Sequence, residues 1–348
     1  MNFASDNCAG VHPSVMAALG AANEGAVSSY GADGLTRAAA DRLRDVLGAP
    51  EAEVMFVATG TAANAVALGA VCPGWGRIFA HRDAHIQTSE CGAPEMFTAG
   101  AKMSLLDGEG GMFSPDALDE AAQYAEAAGL NAGRNAAVSI TNATEWGRVY
   151  GPADVAAIAE VTHRRGMALH MDGARFANAV AASGASPADL TSRAGVDLLV
   201  FGGTKNGAMG VEALVAFNPG HAEALRFMRK RSGHLLSKHR YLAAQIYALL
   251  QGDLWLDLAR HANAMAARLG EVVADMAGAS LLAPVETNQV FVALPEATAQ
   301  RLRAAGAVFH DWPKSGAQEP GQTAIRLVTG WATDPAEIDA FAAAMGKN

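Results

Sequence analysis

Cysteine, lysine and aromatic residues are scarce in this chain of 348 residues. The three cysteines, Cys8, Cys72 and Cys91, form no CxxC pair, and their spacing argues against a disulfide framework. The first residues, MNFASDN, lack the basic and apolar regions of a signal peptide. These absences together predict a cytoplasmic protein.

Positive charge and long apolar runs are also limited. The 26 Lys and Arg residues are outnumbered by 35 Asp and Glu, which gives a formal net charge of -9. This charge argues against electrostatic binding of nucleic acid or anionic lipid over a broad surface. Apolar stretches are far shorter than the roughly 20 residues that cross a bilayer. We therefore expect a small-molecule partner, with neither nucleic acid nor a membrane involved.

Several common active-site motifs are missing. No GxGxxG follows a strand pattern, and GxxxxGK[ST], GxSxG and HExxH do not occur. Dinucleotide binding, P-loop phosphoryl transfer and serine hydrolysis are therefore disfavoured, and no metal site is predicted.

Short β-rich runs alternate with helical patterns between residues 53 and 217. This alternation predicts an α/β fold with a mostly parallel sheet and helices on both of its faces. Ser114-Pro115 has the pattern of a helix cap followed by proline in the first turn. The predicted strands are 53–57, 77–80, 102–105, 136–141, 167–171, 197–201 and 213–217.

The pattern changes near residue 219, where long amphipathic helices begin and a smaller α/β pattern follows. We therefore predict a second, smaller domain at the C-terminal end. The resulting division is an N-terminal segment 1–25, a large domain 26–218, and linking helices with a small domain 219–348.

Two polar segments fall where predicted strands end, which is where ligands bind in open α/β sheets. After the first strand, free N–H groups at a helix start beside Gly60 and the Thr61 hydroxyl suit a phosphate group. A simple helix cap is the alternative. Asp172 follows a later strand and could keep a heterocyclic nitrogen protonated, or could equally cap the next helix.

Three basic side chains complete the pattern. Lys205, one of six lysines, stands in the glycine-rich turn FGGTKNG, where burial would free its amine for Schiff-base formation; a solvated loop lysine is the alternative. His85 could stack on a flat cofactor or be structural. Arg326 lies in an apolar strand and needs an anion, either a substrate carboxylate or an internal acid. A phosphate cradle, Asp172 and Lys205, 33 residues further on, together describe pyridoxal 5′-phosphate.

The same residues resemble those of the low-specificity L-threonine aldolases, which are pyridoxal-phosphate enzymes of fold type I, the aspartate aminotransferase type. The resemblance rests on FASDN, TGTAAN, AHI, HMDGARFANA, TKNGAMG and RLVT, and it runs from Ser5 to about Thr333. It implies a large domain with a mostly parallel seven-stranded sheet and a smaller C-terminal α/β domain.

The resemblance also implies residue roles. Lys205 would hold the cofactor covalently, Asp172 would pair with the ring nitrogen, and Arg175 would bind the cofactor beside the ring. His85 would stack on the ring. The remaining implied contacts are Gly60 and Thr61 with the phosphate group, and Ser5 and Arg326 with the substrate carboxylate.

The chain departs from the family pattern at three places. Glu145 stands where many members have a histidine, and Gly34 replaces a usual proline. Lys238 lies where many members carry an arginine that reaches the phosphate of a neighbouring subunit, and it is the candidate substitute. These departures resemble a branch that acts on phenylserine-like substrates.

The expected reaction is the reversible cleavage of a β-hydroxy-α-amino acid to glycine and an aldehyde. His85, Glu145 and a bound water are candidates for the base that takes the β-hydroxyl proton. Another Cα lyase or a transaminase is the alternative enzyme, and a non-enzymatic binding module is the alternative class. The resemblance implies a homodimer or homotetramer with sites at the dimer interface, to which the loop 25–34 contributes.

Overall fold

A computed structural model describes residues 1–313, 316 and 318–346, and it contains two β-sheets. The positions 347 and 348 of the predicted third segment, together with 314, 315 and 317, lie outside the described residues. The strands are β1 (Glu53–Val57), β2 (Gly76–His81), β3 (Lys102–Leu106), β4 (Arg134–Thr141), β5 (Ala168–Gly173), β6 (Leu198–Gly202), β7 (Glu212–Ala216), β8 (Ser280–Leu281), β9 (Gln289–Pro295), β10 (His310–Asp311) and β11 (Gln322–Val328).

Helices separate most of these strands. Two of the short ones, α4 and α5, follow β2 and lie close to the candidate site. The helices are α1 (Pro13–Ala22), α2 (Gly34–Val46), α3 (Gly60–Val71), α4 (His85–Thr88), α5 (Ala93–Phe97), α6 (Pro115–Ala127), α7 (Pro152–Arg164), α8 (Phe176–Ser183), α9 (Ala222–Arg231), α10 (Arg240–Leu249), α11 (Leu254–Ala274), α12 (Glu296–Ala304) and α13 (Pro335–Ala344).

The large sheet has seven strands in the order β1-β7-β6-β5-β4-β2-β3. The pairs β2 with β3, β2 with β4, β4 with β5 and β5 with β6 are parallel, while β7 is antiparallel to β1 and β6. Six strands therefore point the same way, and the predicted mostly parallel α/β fold is confirmed.

Helices cover both faces of the large sheet, because its strands are apolar on both sides. On one face Val66 of α3 packs with Val57 and Val200. On the other face a larger cluster contains Phe56 of β1 and Ile158 of α7. A ligand is therefore expected at the edge at which the parallel strands end.

The second sheet is antiparallel, in the order β10-β11-β9-β8, and has its own apolar core. Phe3 from the N-terminal segment packs there with Val292 of β9 and Leu327 of β11. Trp255, at the start of α11, packs instead in the core of the large sheet. The predicted domain boundaries at 25 and 218 stay a prediction. Within the described residues, no helix combines the length and apolarity that crossing a membrane requires.

Most predicted elements occur, with shifted ends. The bounds of β1 are as predicted, and Ser114 caps α6 ahead of Pro115. β5 is longer than predicted: Asp172 pairs with Val200 of β6 and lies inside the strand instead of just beyond it. The short helices α4 and α5 and the helix α12 were not predicted, and two turns or fewer leave little periodicity to detect in α4 and α5.

Candidate active site

Every predicted site residue except Lys238 lies at or near the edge where the parallel strands end. Two adjoining cavities, of about 190 and 270 Å³, are found there. They share Asn7, His85, Asp172, Ala174 and Lys205. The strand order, which places β5 between β4 and β6, brings these side chains together although they are distant in the sequence.

The larger of the two cavities contains the start of α3. Thr59 caps this helix, its hydroxyl accepting a hydrogen bond from the N–H of Ala62 (3.2 Å), so the cap that was the alternative is present. The N–H groups of Gly60 and Thr61 have no acceptor within the helix, because the first turn of any α-helix lacks one. A Cβ atom added to Gly60 would meet nothing within 4 Å. This end of the cavity therefore has space and donors for a phosphate group.

Asp172 is almost fully buried on β5, and its carboxylate has two defined partners. Asn64 donates its side-chain N–H to Oδ2 (2.9 Å), and the N–H of Ala174 donates to Oδ1 (3.0 Å). Burial alone would raise the pKa of Asp172, but the neighbouring basic groups His85, Lys205 and His170 outweigh it and hold the pKa below its ordinary value. Asp172 does not cap α8, whose first flanking residue is Arg175.

Lys205 lies in a 3-10 turn, Thr204–Asn206, directly after β6. Its side chain lines both cavities. Burial lowers the pKa of its ammonium group, and the positive charge of Arg175 lowers it further, while Asp6 and Asp172 oppose this. A lowered pKa increases the share of neutral, nucleophilic amine, so the solvated-loop alternative is disfavoured.

His85 is the first residue of α4, and its imidazole contacts a buried acid. Nδ1 lies 2.8 Å from Oε1 of Glu90, whose side chain is fully buried. Because a carboxylate can only accept, Nδ1 carries the proton and Nε2 remains for the cavity.

His85, Glu90 and Asp172 also have potential metal-ligand atoms within 4.8 Å of one another. These side chains already form hydrogen bonds. Asn64 donates to both carboxylates, at 2.8 Å to Glu90 and 2.9 Å to Asp172. The cluster is explained as a hydrogen-bond network. The expectation that the site uses no metal stays a prediction.

Glu145 follows β4 and lines the smaller cavity. Its Oε1 accepts the backbone N–H of His85 (2.6 Å) and the hydroxyl of Thr141 (3.1 Å). Glu145 therefore joins the end of β4 to the start of α4. Its place in the cavity is compatible with proton exchange, while its two bonds show a structural part in the loop.

Arg326 of β11 reaches the smaller cavity from the second sheet, beside Ser5. Among the described residues, no carboxylate lies within salt-bridge distance of Arg326, and its Nε has no hydrogen-bond partner. Burial and the charge of Arg175 lower the pKa of Arg326 to about 10, so it remains cationic at neutral pH. A half-buried guanidinium group that forms no salt bridge with a described residue suits a ligand carboxylate.

Arg175 also lines the smaller cavity. Its guanidinium group binds an acid that was not among the residues predicted from the sequence. Asp6, in the FASDN motif, forms a two-point ion pair with it. Glu90 and Asn64 were missed as well; the signal for Asn64 was its place in TGTAAN. The predicted cofactor contact of Arg175 stays a prediction.

Lys238 is exposed, and it is not among the described residues that line the two cavities. It is adjacent to Ser237, whose carbonyl oxygen accepts the N–H of Tyr30 (2.9 Å). Lys238 therefore lies next to the loop 25–34. The predicted contact of Lys238 with the phosphate group stays a prediction.

Comparisons with known proteins agree with this arrangement. The sequence profile of the family described as beta-eliminating lyase matches residues 2–297. A low specificity L-threonine aldolase of Pseudomonas aeruginosa is 42% identical over 332 residues, which cover 95% of this chain and 93% of that protein. A protein of the same name from a Pseudomonas species is 40% identical, covering 98% and 96%.

Solved structures give the same result. A threonine aldolase of Leishmania major superposes with a TM-score of 0.92 at 28% identity, covering 99% of this chain and 98% of that chain. An aspartate aminotransferase of Rhodobacter sphaeroides, 18% identical with a TM-score of 0.71 over 99% and 90%, shares the fold. The chain belongs to the beta-eliminating lyase family, whose members, threonine aldolases included, depend on pyridoxal 5′-phosphate.

Proposed function

We propose that this protein is a low-specificity L-threonine aldolase. It would cleave L-threonine, L-allo-threonine and related β-hydroxy-α-amino acids, phenylserine among them, reversibly to glycine and an aldehyde. The observation that carries the proposal is one cavity that contains Lys205, Asp172 and Arg326 together. An amine, a buried acid and an unpaired guanidinium group are what covalent cofactor attachment, ring protonation and carboxylate binding require.

The residues present fit pyridoxal 5′-phosphate. The open space beside Gly60 and the helix N–H groups suit its phosphate group, with Thr61 close by. Lys205 provides the point of covalent attachment and Asp172 the partner of the ring nitrogen. When bound, the cofactor supplies an electron sink for the negative charge that develops at the substrate Cα.

The chain contributes binding, orientation and proton transfer. Arg326, with Ser5 beside it, binds the substrate carboxylate. It thereby orients the substrate and sets which bond at Cα is positioned for cleavage. Asp172 keeps a proton on the ring nitrogen, because its low pKa preserves the negative charge. His85 through Nε2, Glu145, or a water between them takes the proton of the β-hydroxyl group.

The test is product identification with threonine, allo-threonine and phenylserine. We expect glycine and the matching aldehyde, without a keto acid. Lys205→Ala should abolish turnover, whereas Lys102→Ala, which removes an exposed lysine of β3, should not. A keto acid would favour the transaminase alternative, and another elimination product a different Cα lyase.

A non-enzymatic module predicts different spectroscopy. An enzyme of this type should be yellow, and borohydride should remove the colour and label Lys205. A colourless protein that is not labelled would refute covalent cofactor binding.

We also propose a cytoplasmic homodimer or homotetramer, with the active site completed at the dimer interface. Support comes from the loop 25–34, where Val27 and Tyr30 are about half exposed, and from its attachment to the segment that contains Lys238. Sedimentation velocity should show an oligomer. Lys238→Ala should weaken cofactor binding without changing the fold, and unchanged affinity would contradict the phosphate role of Lys238.

A further inference from the structure

Glu212 is a buried carboxyl group that none of the roles above uses. It is the first residue of β7, is 5% exposed and lines the larger cavity together with Gly60, Thr61 and Lys205. β7 runs antiparallel to its neighbours, so its first residue lies where β1 and β6 end. An acid is thereby placed at the end of the cavity that suits a phosphate group.

The hydrogen bonds of Glu212 lead to the turn that contains Lys205. Oε2 accepts the backbone N–H of Gly203 (2.9 Å), and this bond, like the nearby side chain of Thr204, favours the ionised form of Glu212. The charge of Lys205 also favours the ionised form. Burial and the charge of Asp172 oppose these effects, and together they raise the pKa of Glu212 to about 7. Both protonation states are therefore populated in the free protein near neutral pH.

The titratable side chains among the described residues that line this cavity are Lys205, Asp172, His85, Glu90 and Glu212. Lys205 approaches from the 3-10 turn and Asp172 from β5, while the start of α3 contributes N–H groups and no titratable side chain. An ionised Glu212 would repel a phosphate anion that enters the same cavity. A neutral carboxyl group would instead be able to donate a hydrogen bond there.

We propose that Glu212 takes up a proton when the phosphate group of the cofactor binds at the start of α3, and that the neutral acid then donates a hydrogen bond in this end of the cavity. The proton comes from solvent, and no other bond changes. The inference rests on the proposed function, because it assumes that pyridoxal 5′-phosphate binds here. Its consequence is that cofactor affinity decreases as the pH rises through neutrality.

The experiment compares two ligands, pyridoxal 5′-phosphate and pyridoxal, binding to the apoprotein by calorimetry between pH 6 and 8.5. Buffers of different ionisation enthalpy measure the protons taken up. In the wild type, ionisation of Glu212 should weaken the binding of pyridoxal 5′-phosphate by up to about tenfold per pH unit above neutrality. Glu212→Gln, a neutral isostere, should remove this part of the pH dependence and the matching proton uptake, with little effect on pyridoxal.

The control is Glu223→Gln, which changes an exposed acid of α9 and should behave as the wild type does. Equal proton uptake and equal pH dependence in the wild type and Glu212→Gln would overturn the role of Glu212 while leaving the cofactor site intact. Failure of the wild type to bind pyridoxal 5′-phosphate would refute the proposed function itself, and this role with it.

A measurement on the wild type covers the case in which Glu212→Gln does not fold. The infrared difference spectrum on adding pyridoxal 5′-phosphate should gain the carbonyl stretch of a newly protonated carboxyl group at pH 8. Pyridoxal should not produce that band. A spectrum without it would overturn the inference.

Discussion

Asp6 accepts two hydrogen bonds from the guanidinium group of Arg175, from Nε at 2.8 Å and from Nη2 at 3.1 Å. Asn288 donates a third at 3.0 Å. The pair joins the N-terminal segment to the end of β5 and to the residue that precedes β9. It also holds Arg175 in the cavity beside Lys205 and Arg326, where the charge of Asp6 partly offsets three cations.

Asp6→Asn should destabilise the protein, because it leaves the buried charge of Arg175 without its counterion. Breaking a buried pair in this way costs about 3–5 kcal/mol, and urea denaturation would measure the loss. Asp119→Asn, which removes a more exposed partner of Arg165, should cost much less.

The pH dependence of stability tests the same pair. Burial would raise the pKa of Asp6, but Arg175, Lys205 and Asn288 outweigh it and lower the pKa. A lowered pKa stabilises the folded protein above the ordinary Asp value near 4, and this stability is lost as the pH falls through the folded-state value. Asp6→Asn should therefore lose less of its unfolding free energy on acidification; an unchanged acid limb would contradict this.

Asp172→Asn preserves the shape of the side chain and the hydrogen bond from Ala174 while removing the charge. We expect most of kcat to be lost, because the ring nitrogen is no longer kept protonated and the electron sink weakens. Cofactor binding should persist, which absorbance spectra would show. If kcat stayed within about twofold, Asp172 would be assigned a structural role instead.

Arg326→Leu should lower kcat/KM equally for every substrate, since all share the carboxylate that we propose this residue binds. A desolvated charge pair of this kind is worth about 2–5 kcal/mol. Arg326→Lys, which keeps the charge without the two-point geometry, should be intermediate. A loss confined to phenylserine or to threonine would show that Arg326 contacts the side chain.

Glu145→Gln separates proton transfer from loop structure. Gln can still accept the N–H of His85 and the hydroxyl of Thr141 through its carbonyl oxygen, so the loop should persist. If Glu145 is the base, kcat should drop by about 10²–10⁴-fold and one limb of its pH profile should disappear. An unchanged profile with a lower melting temperature would make Glu145 a loop residue and leave His85 or water as the base.

Local pattern was sufficient for much of the fold and part of the site. The apolar run of β1 between turn-forming residues, and the cap and proline at the start of α6, were predictable because their signals lie within a few residues. Asp172 and Lys205 were predictable for a similar reason. Each lies at or just after the end of a strand, where ligands bind in open α/β sheets. The apolar strand around Arg326 indicated that this residue needs an anion, and the family resemblance chose the substrate carboxylate and added Ser5; both roles stay predictions.

Tertiary structure alone decided how these segments meet. The bonds of Asp6 to Arg175 and Asn288 join residues 169 and 282 positions apart, which no helical or strand period relates. Glu212 lines the same cavity as Gly60 only because β7 is inserted antiparallel between β1 and β6. Sequence by itself determined the elements and the strand-end chemistry, because these depend on near neighbours. Strand order and side-chain packing decided which buried acids face the site, because they depend on contacts between distant parts of the chain.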